Sequence, residues 1–432
     1  MSASYLSKSV TPSTATSWTV SFWFKLTNIN PSSGTPYLWS CGSTSGGGHG
    51  IYYNNGTDVL RYYGHSGYTD AALSSGALRD TSAWYHCVLS VNAGTGTSYI
   101  NGVQQGSTIS SMAPLNAHTG NLMAVNAYVG GLSTYDDSGV YMSHFHFIDG
   151  TAYPASTFGS TDSTTGEWKI KTDPTVTYGT NGFFLFKDNA SVNDQSGNSN
   201  NFTSSGTITQ TEDNPSNSFA TLNPLNNYYP EATFSNGNNK ITTKESAPVM
   251  ATIGASSGKY YWEVKVNALA SNYGTIGIVG TQATASTQFI TSNANEYMYY
   301  SPGSLNYNGG SVSSGYASYT AGDIIGVAMD LDNNRLFFSK NGTFQNSADP
   351  TSSTGAYTIT APASTSLGLY SPAIGYWDDN DAANGTYEVN FGNGFFGTTA
   401  ISSEGTNASG NGKFEYDVPT GYTALSTKGL NL

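Results

Sequence analysis

Residues with carboxyl side chains come first, because two such groups placed together can catalyse the hydrolysis of a glycosidic bond. Retaining hydrolysis needs two carboxyl groups about 5 Å apart, one with a raised pKa that acts as the acid and one that acts as the nucleophile. Before residue 212 the chain contains a single glutamate, Glu167, so any pair there would have to come from aspartates scattered among loops. The sequence therefore predicts that the chain is not an enzyme, and it offers no catalytic residue.

Metal ligands are present but form no complete set. All six histidines fall in the first half of the chain: His49, His65, His86, His118, His144 and His146. On a strand His144 and His146 would share a face, but no third ligand has a convincing spacing and a zinc site needs at least three. Asp136 and Asp137 could give oxygens to Ca²⁺, which needs six to eight of them. We therefore predict ordinary strand histidines, a turn at the two aspartates, and no metal or other cofactor.

Aromatic rings beside amides and carboxylates could bind a sugar, whose C–H faces stack on rings and whose hydroxyls bond to polar side chains. One such cluster joins residues 52–55 (Tyr-Tyr-Asn-Asn) to 61–65 (Arg-Tyr-Tyr-Gly-His), and a second spans 376–381 (Tyr-Trp-Asp-Asp-Asn-Asp). Adjacent strand residues point to opposite faces, so not all these rings can be buried. The predicted ligand contacts are Arg61, Tyr62, Tyr63, Tyr376, Trp377, Asp378, Asp379 and Asp381. Alternatively, the rings cap a sandwich edge or form an intersubunit contact.

The composition indicates an all-β protein with two domains. A chain of 432 residues is too long for one ordinary β-sandwich and suits two domains of roughly 200 residues, each able to bury a full core. Charged residues make up 10%, against about 25% in ordinary soluble proteins, whereas glycine (50) and tyrosine (31) are abundant. Because helix-forming residues are scarce and turn-forming residues plentiful, we expect strands.

Charge and hydrophobicity argue against two classes of partner. The net charge is −13 and the 15 Lys and Arg residues are spread thinly, so no basic stripe could neutralise a phosphate backbone. No apolar run approaches the roughly 18 residues that span a bilayer, and residues 1–8 lack the pattern of a signal peptide. We expect a soluble chain made in the cytoplasm, with no nucleic acid partner and no membrane insertion.

The two cysteines, Cys41 and Cys87, are too few for a disulfide framework. Both lie in apolar, strand-like runs, where a buried free thiol is the ordinary state. Whether the two pair with each other stays open at this point.

Alternation of apolar and polar residues predicts strands throughout the first half. In residues 17–26, Trp18, Val20 and Phe22 share one face. Further strands are predicted at 36–41, 59–63, 84–92, 97–101, 124–130, 140–148 and 183–187, with one helical turn at 154–159. Trp18, Trp84 and Trp262 are assigned to the core.

The second half shows the same pattern, with a hairpin at 322–342 whose turn falls on Asp332, Asn333 and Asn334. Other strands are predicted at 258–266, 273–279, 296–301, 367–376 and 386–391. Between the halves the alternation is lost and Thr, Asn, Ser and Pro gather, which is typical of a linker. We therefore predict a first β-sandwich at 1–204, a linker at 205–224 and a second β-sandwich at 225–432, both antiparallel.

The predicted hairpin resembles the central hairpin of SPRY domains, in which a Gly-Asp-x-Ile-Gly strand, a Leu-Asp-Asn turn and a Phe-x-Lys-Asn-Gly strand follow in that order. Residues 258–266 (Gly-Lys-Tyr-Tyr-Trp-Glu-Val-Lys-Val) match the same domain type. This resemblance implies a β-sandwich that binds partners through loops, and most such domains catalyse nothing.

The first half resembles a concanavalin A-like jelly roll of the laminin-G type, through residues 18–24 (Trp-Thr-Val-Ser-Phe-Trp-Phe), 84–92 and 99–103. Laminarinase-like enzymes share this architecture but carry Glu-x-Asp-x-x-Glu on one strand, and that motif is absent. More narrowly, the chain is similar to a family of phage structural proteins, with matches at 146–153, 158–168, 178–183, 194–202, 220–225 and 414–425.

These resemblances imply a virion surface protein, made in the host cytoplasm, that is a tail-fibre, tail-associated or head-decoration component. It would bind host surface polysaccharide or other virion proteins through sandwich loops, and self-association into a homo-oligomer stays open. Two alternatives remain: a polysaccharide depolymerase on the concanavalin A-like fold, and a purely structural capsid decoration.

Overall fold

The computed structural model describes residues 4–10, 16–29, 35–43, 47–64, 70–112, 114, 122–130, 139–187, 192–226, 232–244, 248–281, 294–307, 310–377 and 384–432. By its contacts the chain divides into two compact units, residues 1–210 with 214–216 and residues 211–213 with 217–432. The described residues are all-β, as predicted, with 3-10 turns at Ala155–Thr157, Gln345–Ser347, Pro362–Ser364 and Gly429–Asn431. None of these described turns has the length and hydrophobicity of a membrane-crossing helix.

The described part of the first unit forms the strands β1 (Tyr5–Ser9), β2 (Trp18–Leu26), β3 (Tyr37–Ser43), β4 (Gly47–Asn54), β5 (Val59–Tyr63), β6 (Asp70–Ala72), β7 (Tyr85–Asn92), β8 (Thr95–Ile100), β9 (Val103–Ile109), β10 (Leu122–Val125), β11 (Val140–Asp149), β12 (Gly159–Thr161), β13 (Trp168–Ile170), β14 (Phe183–Leu185) and β15 (Thr203–Ser205). One antiparallel sheet has the order β15-β1-β10-β3-β4-β5-β6 and the other β14-β11-β2-β7-β8-β9, while β12 and β13 pair separately.

The two sheets of the first unit pack face to face around one apolar core. Trp18 and Phe22 of β2 contribute from one sheet, and Trp39, Ile51 and Leu60 contribute from the other. All five are fully buried. The alternation in the sequence therefore identifies the inner face of β2 correctly.

The outer face of β2 is buried as well, which the alternation does not reveal. All nine residues of β2 are buried. The segment that follows β11 forms a second apolar cluster on this side, which includes Ile148, Phe158 and Trp168. Polar residues of β2 therefore lie beneath a cover rather than in water.

Two sequence-based assignments in the first unit need correction. Trp84 is only half-buried and lies outside the main core, because it precedes β7 and stacks edge-on against Tyr141 at 6.3 Å. Strands β1, β4, β6, β9, β12, β13 and β15 were not predicted. In β4 the reason is glycine: a Cβ on Gly50 would lie 2.3 Å from the carbonyl oxygen of Trp39, so close pairing replaces an apolar pattern.

The described part of the second unit forms the strands β16 (Thr233–Ser235), β17 (Lys240–Lys244), β18 (Val249–Met250), β19 (Lys259–Leu269), β20 (Gly274–Val279), β21 (Glu296–Tyr300), β22 (Ser304–Tyr307), β23 (Gly310–Ser314), β24 (Ile324–Asp330), β25 (Arg335–Lys340), β26 (Thr343–Phe344), β27 (Tyr357–Thr358), β28 (Ser371–Tyr376), β29 (Asn384–Asn390), β30 (Phe395–Phe396), β31 (Thr399–Ala400) and β32 (Thr423–Ala424). The larger sheet has the order β16-β17-β29-β19-β24-β25-β26, with β27 on β25 and β32 on β19, and the smaller has the order β18-β28-β20-β21-β22-β23.

The hairpin of β24 and β25 confirms the pattern from which it was predicted. Ile325, Val327 and Met329 lie in the core between the two sheets, together with Trp262 of β19. Asn334 closes the turn with a φ of 54°, a conformation that asparagine tolerates better than most residues.

A C-terminal segment covers the outer face of the nine-stranded sheet. We call residues 402–426 the C-terminal strap. Its apolar side chains form one buried cluster with residues of the sheet and of the segment before it: Phe219, Tyr261, Ala328, Phe337, Phe414, Val418, Tyr422 and Ala424. Both faces of β19 are therefore covered, and β32 adds a short parallel pairing to it.

The predicted linker at 205–224 contains residues that pack in both units. Ser205 belongs to β15, which pairs with β1. Phe219 and Leu222 form bridges with Ser426 and Ala251 of the second unit. The two cysteines, Cys41 and Cys87, are confirmed as buried free thiols.

Candidate functional site

Exposed aromatic rings stand at one end of the smaller sheet of the second unit. The exposed fractions of Trp377 and Tyr273 are 43% and 38%. Their ring centroids are 5.4 Å apart and their planes meet at 65°. Tyr300, which is buried, lies 6.2 Å from Trp377. We call Tyr273, Tyr300 and Trp377 the aromatic corner.

Backbone pairing holds the aromatic corner in place. Gly274 lies opposite Tyr376 where β20 and β28 pair. Just beyond them, the N–H of Trp377 donates to the carbonyl oxygen of Tyr273 at 2.8 Å. The two exposed rings thus project from the ends of adjacent hydrogen-bonded strands, so little backbone entropy is lost when a ligand contacts them.

Tyr376 was predicted to contact a ligand, and this is wrong. It is fully buried, and its hydroxyl shares a hydrogen bond of 2.6 Å with Ser271 Oγ. Because strand residues alternate, the outward position of Trp377 requires the inward position of its neighbour. Asp378, Asp379 and Asp381, the other predicted contacts here, lie outside the described residues. Sequence reasoning missed Tyr273, although it placed this residue at the start of a strand.

The predicted cluster on β5 divides in the same way. Tyr62 is fully buried, and its hydroxyl forms a hydrogen bond of 2.8 Å with His49 Nδ1, so its prediction as a ligand contact is wrong. Arg61 and Tyr63 are half-buried on the opposite side of the strand. Of the three predicted residues, these two can reach a ligand.

Four tyrosines cluster on the outer side of the seven-stranded sheet. We call Tyr37, Tyr52, Tyr63 and Tyr128 the tyrosine face. Tyr37 is 4.7 Å from Tyr128 and 5.4 Å from Tyr52 between ring centroids, and Tyr63 is 6.5 Å from Tyr128. The N–H of Gly48 donates to the Tyr128 hydroxyl at 3.1 Å. Tyr37 and Tyr128 were missed, because the pairing that brings β3, β4 and β10 together leaves no local signal.

Charge at the tyrosine face is balanced. Arg61 Nε donates to Asp70 Oδ1 at 3.0 Å, and the Tyr52 hydroxyl approaches the same oxygen at 3.4 Å. Burial, and then the charge of Asp70, raise the pKa of Tyr52. The Tyr52 hydroxyl therefore keeps its proton at neutral pH, and Arg61 presents no uncompensated charge to a ligand.

His86 is enclosed by aromatic rings on the outer side of β2. Its ring stacks on Trp23 at 4.7 Å and on Trp168 at 6.0 Å. Trp168 Nε1 donates to His86 Nδ1 at 3.0 Å, and Ser21 Oγ bonds to Nε2 at 2.9 Å. Burial lowers the pKa of His86 to about 3, so the ring is neutral and serves the packing of the cover.

His144 and His146 both lie against Phe184 of β14, at 5.7 and 3.9 Å between ring centroids. The register of β11 against β2 shifts between Ser143 and His146, and His144 has a φ of 47°. His146 Nδ1 bonds to the Tyr178 hydroxyl at 2.9 Å, and burial lowers its pKa well below the usual value. The bulge therefore leaves the two rings near each other, but the described residues add no third ligand to this pair.

Carboxylates and metal ligands offer no assembled centre in the described part of the chain. Glu167 is exposed in the connection between β12 and β13. Asp162 on the same hairpin accepts a hydrogen bond from Lys169 Nζ at 2.9 Å, and this bond most strongly lowers its pKa. No group of three or more His, Cys, Asp or Glu among the described residues could hold a metal ion. Asp136, Asp137, His65 and His118 lie outside those residues.

The motif at 194–202 serves the backbone rather than a ligand. Asp194 accepts hydrogen bonds from the N–H groups of Phe184, Ser196 and Asn200 at 2.9, 2.9 and 2.7 Å. The amides of Asn198 and Asn200 both donate to the carbonyl oxygen of Gly182, at 3.0 and 2.8 Å. These polar side chains are thus used to close a loop against β14.

Two family models match parts of the chain. Residues 2–141 match the concanavalin A-like lectin/glucanases superfamily, and residues 259–357 match the SPRY domain. The chain therefore carries a concanavalin A-like domain of the laminin-G type followed by a SPRY domain, as the sequence predicts. None of the curated proteins compared with the chain matches it.

Among solved structures, the chain is similar to the SPRY domain of human HERC1, with 16% identity, a TM-score of 0.28, and coverage of 37% of this chain and 91% of that one. It is also similar to stonustoxin (18% identity, TM-score 0.29, 40% of this chain and 27% of that one) and to the PSpry domain of TRIM65 (14% identity, TM-score 0.28, 40% and 88%).

Proposed function

We propose that this chain is a phage virion surface protein, a tail-fibre, tail-associated or head-decoration component, that binds host surface glycan or another virion protein and catalyses no reaction. The placement on a virion is supported by the resemblance of the sequence motifs to phage structural proteins. The binding role is supported by the two matched domain types, which are often binding modules. Neither nucleic acid nor a membrane is a partner in this proposal.

The observation that carries the proposal is the aromatic corner. Two large rings, Tyr273 and Trp377, are exposed side by side at strand ends. Stacking on a sugar ring or on a partner's apolar side chain would remove their surface from water, and indole and phenol groups add a hydrogen bond at the edge. Their backbones are held by strand pairing, and their exposed surface is available to a ligand.

The tyrosine face is a second candidate surface, in the first unit. Its rings lie beside the Arg61–Asp70 pair, which offers hydrogen-bond donors and acceptors without net charge. A sugar ring needs this combination of flat apolar area and neutral polar groups in its binding site.

The first prediction concerns Trp377. We expect Trp377→Ala to weaken attachment to host cells or host glycan by about 30-fold, since truncation of an aromatic anchor costs about 2 kcal/mol or more. Binding is measured on a glycan array and on whole host cells, and circular dichroism checks the fold. Val103→Ala, at an exposed position in the first unit, is the control and should bind like the wild type.

Three outcomes separate the hypotheses. If Trp377→Ala binds as strongly as the wild type and Tyr63→Ala binds more weakly, the binding site is the tyrosine face rather than the aromatic corner. New reducing ends released from host polysaccharide would identify a depolymerase and overturn the non-catalytic proposal. A fixed stoichiometry on the particle, with no glycan bound by the wild type, would indicate a purely structural decoration.

A further inference from the structure

A buried carboxylate holds the C-terminal strap against the nine-stranded sheet. Glu263, in the middle of β19, is fully buried. Its Oε1 accepts the backbone N–H of Tyr416 at 2.9 Å, and its Oε2 accepts the backbone N–H of Glu415, also at 2.9 Å. One side chain of the sheet thus receives two consecutive backbone donors of the strap.

Neighbouring groups complete the attachment. The Tyr261 hydroxyl donates to Glu263 Oε1 at 3.2 Å, and Asn390 Nδ2 approaches Oε2 at 3.5 Å. Asn390 Nδ2 also donates to the carbonyl oxygen of Lys413 at 2.9 Å. Backbone groups of residues 413, 415 and 416 therefore bond to Glu263 and to its pairing partner in β29.

The ionised and neutral forms of Glu263 differ in their hydrogen bonds and in the cost of burying them. The ionised form is fully hydrogen-bonded but has lost its water, whereas the neutral form can donate its proton to the Tyr261 hydroxyl oxygen and still accept both backbone N–H groups. Burial raises the pKa of Glu263 to about 7, and it outweighs the hydrogen bonds, which act in the opposite direction. The carboxyl group is therefore neutral over much of the acidic range.

The other titratable groups that face Glu263 do not change charge near neutral pH in a way that would mask it. Tyr261 on β19 and Tyr416 on the strap both have pKa values raised first by burial. The negative charge of Glu415 on the strap adds to the rise for Glu263. Other charged groups on β19 and on the elements beside it stand in ion pairs or over a ring: Lys259 with Asp330, Lys240 with Glu388, Lys413 with Glu212, and Lys265 over Phe396.

We propose that Glu263 makes the C-terminal strap a pH-sensitive latch, which is held most firmly in mildly acidic solution and loosens as the carboxyl group ionises. When the strap lifts, Glu263 regains water and an ordinary pKa of about 4.5. The closed state thus binds more protons than the open state between pH 4.5 and 7. Protonation of Glu263 therefore stabilises the closed state fully below pH 4.5, and this stabilisation is lost as the pH rises through about 7.

The opening equilibrium should therefore increase by about 300-fold across this window, the change that corresponds to a shift from 4.5 to about 7. Opening would uncover Tyr261, Ala328 and Phe337, which the strap covers in the closed state. The latch would thereby control the exposure of an apolar sheet face in the second unit.

Hydrogen exchange of the intact chain tests the proposal. We expect the protection factors of peptides from residues 402–426 to fall by up to about 300-fold between pH 4.5 and 8, while those of the β24–β25 hairpin change much less. In Glu263→Gln the pH dependence of the strap should disappear. Glu404→Gln removes an exposed carboxyl group of the same strap and should keep the wild-type pH dependence.

Two results would overturn the latch. One is a strap whose protection in the wild type does not change relative to the hairpin between pH 4.5 and 8, which needs no variant and so stands even if Glu263→Gln fails to fold. The other is an unchanged pH dependence in a folded Glu263→Gln. Either result leaves the proposed binding function untouched, because the aromatic corner and the tyrosine face do not include the strap.

Discussion

Tryptophans in this chain differ widely in what they contribute to the fold. Trp18 is fully buried between the two sheets of the first unit and lies 5.6 Å from Trp39 between ring centroids. Trp84 is half-buried, and its ring lies beside Tyr141 and under the amine of Lys25, 5.7 Å from its centroid. The same residue type thus forms the core in one case and a lateral contact in the other.

We expect Trp18→Ala to lower the free energy of unfolding of the first unit by about 3–5 kcal/mol, since it would open a large cavity in the core. Trp84→Ala should lower it by less than about 2 kcal/mol, because a half-buried ring leaves little cavity. Urea unfolding followed by circular dichroism measures both. Equal losses in the two variants would contradict the burial described for Trp84.

The alternating pattern predicted that one of two adjacent tyrosine or tryptophan residues faces outward, but not which of the two. Alternation requires that one of Tyr62 and Tyr63, and one of Tyr376 and Trp377, face outward, and this holds in both pairs. Which member faces outward depends on the sheet that packs against the strand, and a single strand does not contain that information. Tyr62 and Tyr376 are therefore excluded by their burial, whereas Arg61, Tyr63 and Trp377 stay predicted ligand contacts.

The turn between β8 and β9 shows how an element can depend on one glycine. Asn101 and Gly102 have φ values of 48° and 77°, which suit a tight hairpin turn. A Cβ on Gly102 would lie 2.3 Å from Trp168 Cε3. The tight turn and the aromatic cover over β2 thus meet at this position, since the Trp168 ring also stacks on His86.

We expect Gly102→Ala to lower the free energy of unfolding by about 2–5 kcal/mol, from the left-handed backbone and from displacement of the Trp168 ring. Gly106→Ala is the matched control, because its φ of 53° is also left-handed and no atom lies within 4 Å of its Cβ. It should cost only about 1–2 kcal/mol. Tryptophan fluorescence should change in the first variant alone; a change of equal size in both would contradict the contact with Trp168.

Elements with strong alternation were predicted from sequence, whereas elements held by distant partners were not. Strands β2, β7, β11, β19 and β24 lie close to their predicted limits, and a 3-10 turn occurs at Ala155–Thr157, within the predicted helical turn at 154–159. Strand β1 was missed because it is short and lies between β10 and β15, far apart in the sequence. The strap was not predicted as an element, because within residues 402–426 the structure describes only the two-residue strand β32 and the rest is irregular.

At the scale of the whole chain, the two units have separate cores. The first unit extends through β15. The second unit includes Glu212, which forms an ion pair of 2.8 Å with Lys413. The change from one unit to the other therefore falls within a few residues of 210–217. The composition of the predicted linker showed that a boundary was near, but only the pairing of β15 with β1 shows where the first unit ends.

We expect the fragments 1–210 and 211–432 to fold separately, because each contains nearly all the residues of one compact unit. Each should show a β-rich circular dichroism spectrum and one cooperative unfolding transition. A fragment cut at 1–190, which lacks β15, is the comparison and should be less stable than 1–210. If 1–210 and 211–432 fold only when mixed, the division into two units is wrong.

The covered outer face of β2 has a consequence for how reliably the first unit assembles. Thr19 Oγ1 donates to the carbonyl oxygen of Thr151 at 2.9 Å and accepts the N–H of Tyr153 at 2.8 Å, while Ser21 bonds to His86. A slip of one residue in the pairing of β2 would push these hydroxyls into an apolar interior and turn large rings out of it. The hydroxyls therefore favour the observed register of β2. A misaligned strand would bury unpaired hydroxyls and would also remove large apolar rings from the core.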